Sequence, residues 1–176
     1  MPESWSEFEP FVQQIADKLA EAYRADYHQT IQNGYERLEN AKSEDQVGEL
    51  LSLDWESLLD AHQSAAQQNE KQYSIVVVKI ESSLRMDREV AVLLQTIVGN
   101  DNFVVYQGDH LYAMLLQDYN TPRLEGIAYL LRNSLLEIGV KALIGNAIHN
   151  ASNDLNDTYD LVIGKIVGEE LRTRVA

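Results

Sequence analysis

The stretch Val104-Val105-Tyr106-Gln107-Gly108-Asp109-His110-Leu111-Tyr112-Ala113-Met114-Leu115 sets two apolar runs around a polar knuckle. Apolar run, turn residues, apolar run is the pattern of a β-hairpin, with Gly108 and Asp109 supplying the tight reversal. Such a hairpin can aim a carboxylate at a metal or a phosphate, or it can simply join two strands. The two arms are expected at 102–106 and 111–116, and Asp109 and His110 are the candidate chemical groups.

Outward from the hairpin, strands alternate with helices. Tyr73-Ser74-Ile75-Val76-Val77-Val78-Lys79-Ile80 is almost unbroken and β-branched, as expected of a central strand buried on both faces. Residues 88–98 carry Val90, Leu93, Leu94 and Ile97 at helical spacing, and Gly99-Asn100-Asp101 reads as a turn. Thr121-Pro122 predicts a helix start, with Thr121 as cap and proline at the first helical position. That helix carries Ile127, Leu130, Leu131, Leu135 and Leu136, and Gly139 is its stop. Residues 140–148 predict a further strand, and 153–158 open a terminal helix bearing Leu161, Val162, Ile166, Val167 and Leu171. The order β-α-β-β-α-β-α predicts an α/β (α+β) domain of ferredoxin-like type over residues 71–176.

Residues 1–70 have helical periodicity and little else, and are expected to form a separate helical segment of two helices. Phe8, Phe11, Val12, Ile15, Leu19, Ala22, Tyr23, Tyr27, Ile31, Tyr35 and Leu38 recur at spacings of three and four on one stripe. Asn33-Gly34 is expected to fray or end the first helix. Ser43-Glu44-Asp45-Gln46 has the form of a capping box opening a second, with Val47, Leu50, Leu51, Trp55, Leu58, Leu59 and His62 on its apolar side. His62 reads as a partly buried histidine satisfied by a neighbour. The polar run 67–72 marks the boundary with the domain that follows.

Bulk composition narrows the function. The 176 residues suffice for one domain of roughly 100–150 residues plus an appendage. There is no cysteine, which excludes disulfides, zinc–thiolate sites and thiol nucleophiles. Asp and Glu number 28 against 14 Lys and Arg, a net charge of -14, which argues against nucleic acid or an anionic membrane as partner. No apolar stretch approaches the ~20 residues of a membrane span. The acidic start MPESWSEFEP lacks the form of a secretory signal, so a cytoplasmic protein is expected.

The order of elements and three segments resemble the GGDEF domain, the palm-like fold of bacterial diguanylate cyclases. Residues 101–111, DNFVVYQGDHL, resemble the D-x-v-a-R-y-G-G-D-E-F signature. Residues 142–147, ALIGNA, resemble the S-i-G-i-A strand. Residues 161–168, LVIGKIVG, resemble the A-L-Y-x-A-K-x-x-G helix, with Lys165 on the family's lysine and Gly168 on its glycine. The resemblance covers residues 73–174.

The departures from that pattern bear on activity. The resemblance implies two magnesium ions held by an acid at the end of the first strand and an acid in the signature turn, for phosphoryl transfer from a triphosphate. The first strand's D-i-D is here Lys79-Ile80-Glu81, and an ammonium cannot ligate Mg²⁺. The turn keeps Gly108 and Asp109 but has His110 for the next acid and Gln107 for the first glycine, where a side chain crowds a substrate. About ten residues that would grip phosphate and guanine after the first strand are missing around 82–87. Val98 replaces the arginine of the R-x-x-D product-inhibition motif, leaving Asp101, and Glu169 follows Gly168 where a basic residue is expected.

These departures predict no catalytic residues, no metal and no cofactor. Lys79 is expected to pair with Asp109 in place of the lost metal, and Lys165 is the residual candidate for a phosphate contact. The rival reading makes Asp109 and His110 a rebuilt metal site, for which two ligands are few. The leading function is a non-catalytic signalling or scaffolding module acting on a protein partner or as a homodimer through residues 8–62. The stripe can equally fold back on its own domain. A sensor binding a guanine nucleotide or cyclic dinucleotide is the alternative, and a divergent active diguanylate cyclase the third reading.

Overall fold

The computed structural model describes residues 5–40, 54–83, 85 and 87–175. Five helices and four strands alternate as α1 (Trp5–Asn40), α2 (Trp55–Gln67), β1 (Tyr73–Ser83), α3 (Asp87–Val98), β2 (Phe103–Tyr106), β3 (Leu111–Gln117), α4 (Thr121–Glu137), β4 (Val140–Ile148) and α5 (Leu155–Val175). The capping box at 43–46 and the apolar positions Val47, Leu50 and Leu51 lie outside the described residues.

The sheet has the order β2-β3-β1-β4, and every neighbouring pair is antiparallel. β1 is central and buried on both faces because helices cover both sides, so its sequence lacks the polar alternation of a half-exposed strand. Alternation along β1 then sorts its side chains. Val76, Val78 and Ile80 join Leu94, Ile97, Leu130 and Leu131 from α3 and α4 in one core. Ile75 and Val77 join Trp55 and Leu59 from α2 and Val162 and Ile166 from α5 in the other. Lys79 shares the parity of Val77 and therefore faces α5. The register of β1 against β4 shifts between Ile80 and Ser82, a bulge at the end of the strand that leads into the site.

The hairpin is anchored at its open end by Asn102, which is buried. Its amide nitrogen donates to the Val98 carbonyl at 2.8 Å and its side-chain oxygen accepts from the Gln117 amide at 2.9 Å. These bonds tie the end of α3 to the end of β3 and fix how far the turn at 107–110 reaches.

Two local expectations change. The first helix does not break at Asn33-Gly34; α1 runs unbroken for 36 residues, about 54 Å at 1.5 Å per residue. Gly34 is a packing position, since a Cβ there would overlap the Leu130 side chain. Gly126 on α4 is its counterpart, where a Cβ would come within 2.9 Å of the Tyr27 carbonyl oxygen. A missing side chain on each helix lets α1 and α4 approach closely. The cap of α4 is Asn120, whose side chain accepts from the Arg123 amide at 3.0 Å, while Thr121 is the first helical residue. Gly139 closes that helix in the left-handed region, φ 79°, as expected.

The two ends of α1 differ. Thr30 and Gly34 are buried against the domain, whereas residues 9–25 are exposed throughout. α2 packs its Trp55, Leu59 and Ala66 into the sheet core itself. His62 sits beside that core with Nδ1 2.9 Å from the Tyr73 hydroxyl and its ring against Tyr73 and Phe103.

Candidate functional site

The signature turn closes β2 onto β3 with Gly108, Asp109 and His110 all in the left-handed region, at φ 85°, 50° and 60°. For Asp109 and His110 this conformation is sterically costly, so it persists only where the surroundings over-determine it. Three backbone bonds do so. Gln107 donates to the Leu111 carbonyl at 2.8 Å, Leu111 to Gly108 at 3.0 Å, and Ile80 at the end of β1 to His110 at 2.9 Å. The last of these brings the end of β1 and the turn together.

The side chains at that junction divide between two helices. On the α5 side, the Lys79 ammonium donates to Glu170 at 2.8 Å. The expected pair of Lys79 with Asp109 is replaced by this one. The reason is parity: Lys79 projects to the α5 face, and Glu170 lies on the part of α5 that crosses it. Glu170 is held below the usual carboxylate range, first by the hydrogen bond from Lys79 and further by the charges of Lys79 and Arg174. Arg174 adds a second cation at 2.9 Å. Asp109 is exposed, and its side chain makes no hydrogen bond or ion pair to a described residue.

The turn itself is also tied to α5. The Tyr159 hydroxyl donates to Gln107 Oε1 at 3.0 Å, so the side chain that replaces the expected glycine spans the gap between hairpin and helix. Lys165, the candidate phosphate contact, donates instead to the Asn146 carbonyl of β4 at 2.7 Å. Each polar group that the sequence placed at the site, Asp109 excepted, is thus engaged within the chain.

On the α3 side, one carboxylate that the sequence reading missed gathers three rings. Asp87, the first residue of α3, lies 3.1 Å from His110 Nδ1 and accepts from Tyr112 at 3.1 Å and from Tyr106 at 3.3 Å. Tyr112 also bonds the Asp87 main-chain carbonyl at 3.0 Å. Burial by itself raises the Asp87 pKa, but the hydrogen bonds from His110, Tyr112 and Tyr106 and the charge of His110 outweigh it and leave the carboxyl lowered. Burial, with the negative charge of Asp87, pushes the Tyr112 phenol far up, so it stays a neutral donor. The only sequence cue for this cluster is the acid in the first turn of a helix. His110 therefore has a partner, but Asp109 does not share it. Among the described residues, no three His, Asp or Glu side chains lie close enough together to hold a metal ion.

Two open clefts lie at the two ends of the hairpin. One, about 410 Å³, lies beside Gln107 between the start of α2, the end of β2 and the start of α5. The other, about 620 Å³, lies at the opposite end of the hairpin, where Arg37 of α1, Lys71 and Arg123 surround Asp101 and Asp118. No helix among the described residues is long and apolar enough to cross a membrane.

No protein-family model and no curated protein sequence matches the chain. Solved structures do. The coiled coil and GGDEF domain of DgcB from Caulobacter crescentus, in complex with c-di-GMP, superposes with a TM-score of 0.59 at 13% identity, over 91% of this chain and 94% of that one. The GGDEF domain of the same protein, also with c-di-GMP, gives 0.58 at 11% identity over 73% and 92%. The diguanylate cyclase SiaD from Pseudomonas aeruginosa, in complex with its activator SiaC, gives 0.53 at 14% identity over 95% and 73%. The chain has a GGDEF-like fold, with a long helix ahead of the domain.

Proposed function

We propose that this GGDEF-like fold serves as a non-catalytic signalling or scaffolding module that acts through protein–protein contact. The observation that carries the reading is the Lys79–Glu170 ion pair, 2.8 Å long, at the strand end where the family resemblance calls for a metal-binding carboxylate. A cation already neutralised by an acid neither binds Mg²⁺ nor leaves Glu170 free to do so. The Gln107–Tyr159 bond adds to it by filling the gap above the turn.

The contact surface is the exposed part of α1. Phe11, Val12, Ile15, Leu19 and Tyr23 are all exposed there, with Phe11 at 63% and Leu19 at 66%. Their spacing of three and four puts them on one side of a helix that has no neighbour at this level among the described residues, as in a two-stranded coiled coil. A second copy of α1 is the occupant. The resemblance to a structure that includes a coiled coil supports it.

The test has two arms. With GTP and Mg²⁺, the protein forms no cyclic di-GMP; product that disappears in Asp109→Ala overturns the non-catalytic reading. Light scattering during size-exclusion chromatography reads a dimer at micromolar concentration; a monomer removes the α1 contact.

A second reading is favoured by the 620 Å³ cleft. Arg37, Lys71 and Arg123 converge there in a protein whose acids outnumber its bases two to one. Such a cluster suits an anionic ligand, and a guanine nucleotide or cyclic dinucleotide is the candidate. Calorimetry with GTP and with cyclic di-GMP checks it, and absence of heat with both eliminates it.

A further inference from the structure

The 620 Å³ cleft at the open end of the hairpin is walled by two separate parts of the chain. Gln29, Thr30, Asn33 and Arg37 come from the docked half of α1, and the other lining residues from the domain. Gln29, Asn33 and Arg37 follow one another at a spacing of four, so a single face of α1 looks into the cleft.

The cations on these walls are each held by a neutral oxygen. Arg37 donates to the Ile97 carbonyl at 2.9 Å, Lys71 to Gln117 Oε1 at 3.0 Å, and Arg123 to the Asp118 carbonyl at 3.2 Å. Among the described residues, none of the three has a carboxylate within ion-pair distance, although Asp101 and Asp118 share the cleft. Three cations against two acids leave this wall positive in a chain of net charge -14. Its floor is rigid. Gln95 Nε2 ties the Gly99 and Asn102 carbonyls at 2.9 and 3.0 Å, which fixes the turn between α3 and β2. Gly99 makes room for Arg37, since a Cβ there would stand 3.0 Å from the guanidinium carbon. The bond to Ile97 thus sets the guanidinium against the turn, and its planar fork suits phosphate oxygens.

The hold of α1 on the domain is slight by comparison. Between Asp26 and Leu38 only Thr30 and Gly34 are buried, a contact of the kind that opens locally while a domain stays folded. Opening it removes Arg37 and the amides of Gln29 and Asn33 from the cleft. An anion gripped by both walls therefore binds the docked helix better than the undocked one, and by linkage its binding holds the helix down.

We propose that a phosphate-bearing anion bridges Arg37 of α1 to Lys71 and Arg123 of the domain, so that filling the cleft clamps α1 and the docking of α1 sets the affinity. The inference rests on the anion-site reading above and adds the regulation of that site.

Calorimetry and hydrogen exchange on the full chain, with pyrophosphate, GTP and cyclic di-GMP as probes, test the clamp. At saturation with a probe that gives heat, amides of residues 27–38 are expected to exchange at least about tenfold more slowly, with those of α5 unchanged. Arg37→Gln is expected to weaken that probe about tenfold or more. Lys71→Gln with Arg123→Gln, two exposed positions outside α1, is expected to remove the slowing at the same probe concentration. Heat with pyrophosphate alone, with α1 slowed, supports the clamp and removes the nucleotide. No heat with any of the three overturns the anion-site reading and the clamp together. Heat with exchange on α1 unaltered, or with α5 slowed equally, overturns the clamp and leaves the site standing. Arg37→Gln binding as tightly as the parent overturns it too, as does undiminished slowing in the double variant.

Discussion

The two ends of α1 carry the same kind of sequence and have opposite fates. From Tyr27 to Leu38 the apolar stripe, the exposed Tyr35 excepted, is partly buried beside α4 and α3, with Arg37 donating to the Ile97 carbonyl at 2.9 Å and Asn120 reaching Asp26 at 2.7 Å. From Phe11 to Tyr23 a stripe of the same period stands exposed. Periodicity identifies the face that a helix buries, not what buries it. What separates the halves is a pair of glycines. Gly34 and Gly126 let α1 approach α4 closely, whereas residues 9–25 of α1 are exposed.

Breaking the docked half should cost most. Leu130 is fully buried and fills the space over Gly34, so Leu130→Ala is expected to destabilise by about 2–5 kcal/mol, read by chemical denaturation. Gly126→Ala comes next. Its new methyl meets the backbone of α1 at 2.9 Å, which forces the helices apart and costs about 1–3 kcal/mol, less what alanine gains in helix propensity. A Gly126→Ala protein as stable as the parent shows that the close approach does not hold α1 in place.

Acid should sharpen the contrast more gently. Burial lowers the pKa of His62, with Lys71 adding to the shift, and burial lowers that of His149 against the opposing charges of Asp154 and Asp157. Both histidines therefore bind protons more readily unfolded than folded. Their contribution is complete above the ordinary histidine value of 6.5 and is lost as pH falls through the lower folded values. Both belong to the domain rather than to α1, so melting temperatures from pH 7 to pH 5 should fall, and His62→Gln should reduce the slope. The Asp87 cluster adds a loss at still lower pH, below the ordinary carboxylate value of 3.8, because its folded pKa is also depressed.

The exposed half should respond least in stability and most in association. Leu19→Glu is expected to change unfolding free energy by less than about 0.5 kcal/mol while abolishing the proposed dimer, as read by light scattering. A loss of several kcal/mol would mean that the stripe is buried within one chain after all.

Much of the fold was legible because its elements carry strong local signals. The β-branched run of β1, the Gly139 stop and the two hairpin arms are each determined within a few residues, and each lies where expected. Asn33-Gly34 misled because glycine both breaks helices and permits close packing. Only the neighbour, Leu130, tells which role it plays. The site was legible in position but not in pairing. Lys79, Gln107 and His110 do meet at the junction of β1 and the turn, yet their partners are Glu170, Tyr159 and Asp87, from 23 to 91 residues away in sequence.

By itself, then, the sequence determined which residues form strands, helices and the signature turn, since period, caps and turn chemistry act over one to four residues. Tertiary structure decided what those residues touch. The parity of β1 sends Lys79 towards α5 rather than towards Asp109, and the start of α3 brings Asp87 under His110. The same distinction applies to α1, whose stripe is written in the sequence, but whose burial depends on two glycines meeting across helices that no local pattern brings together.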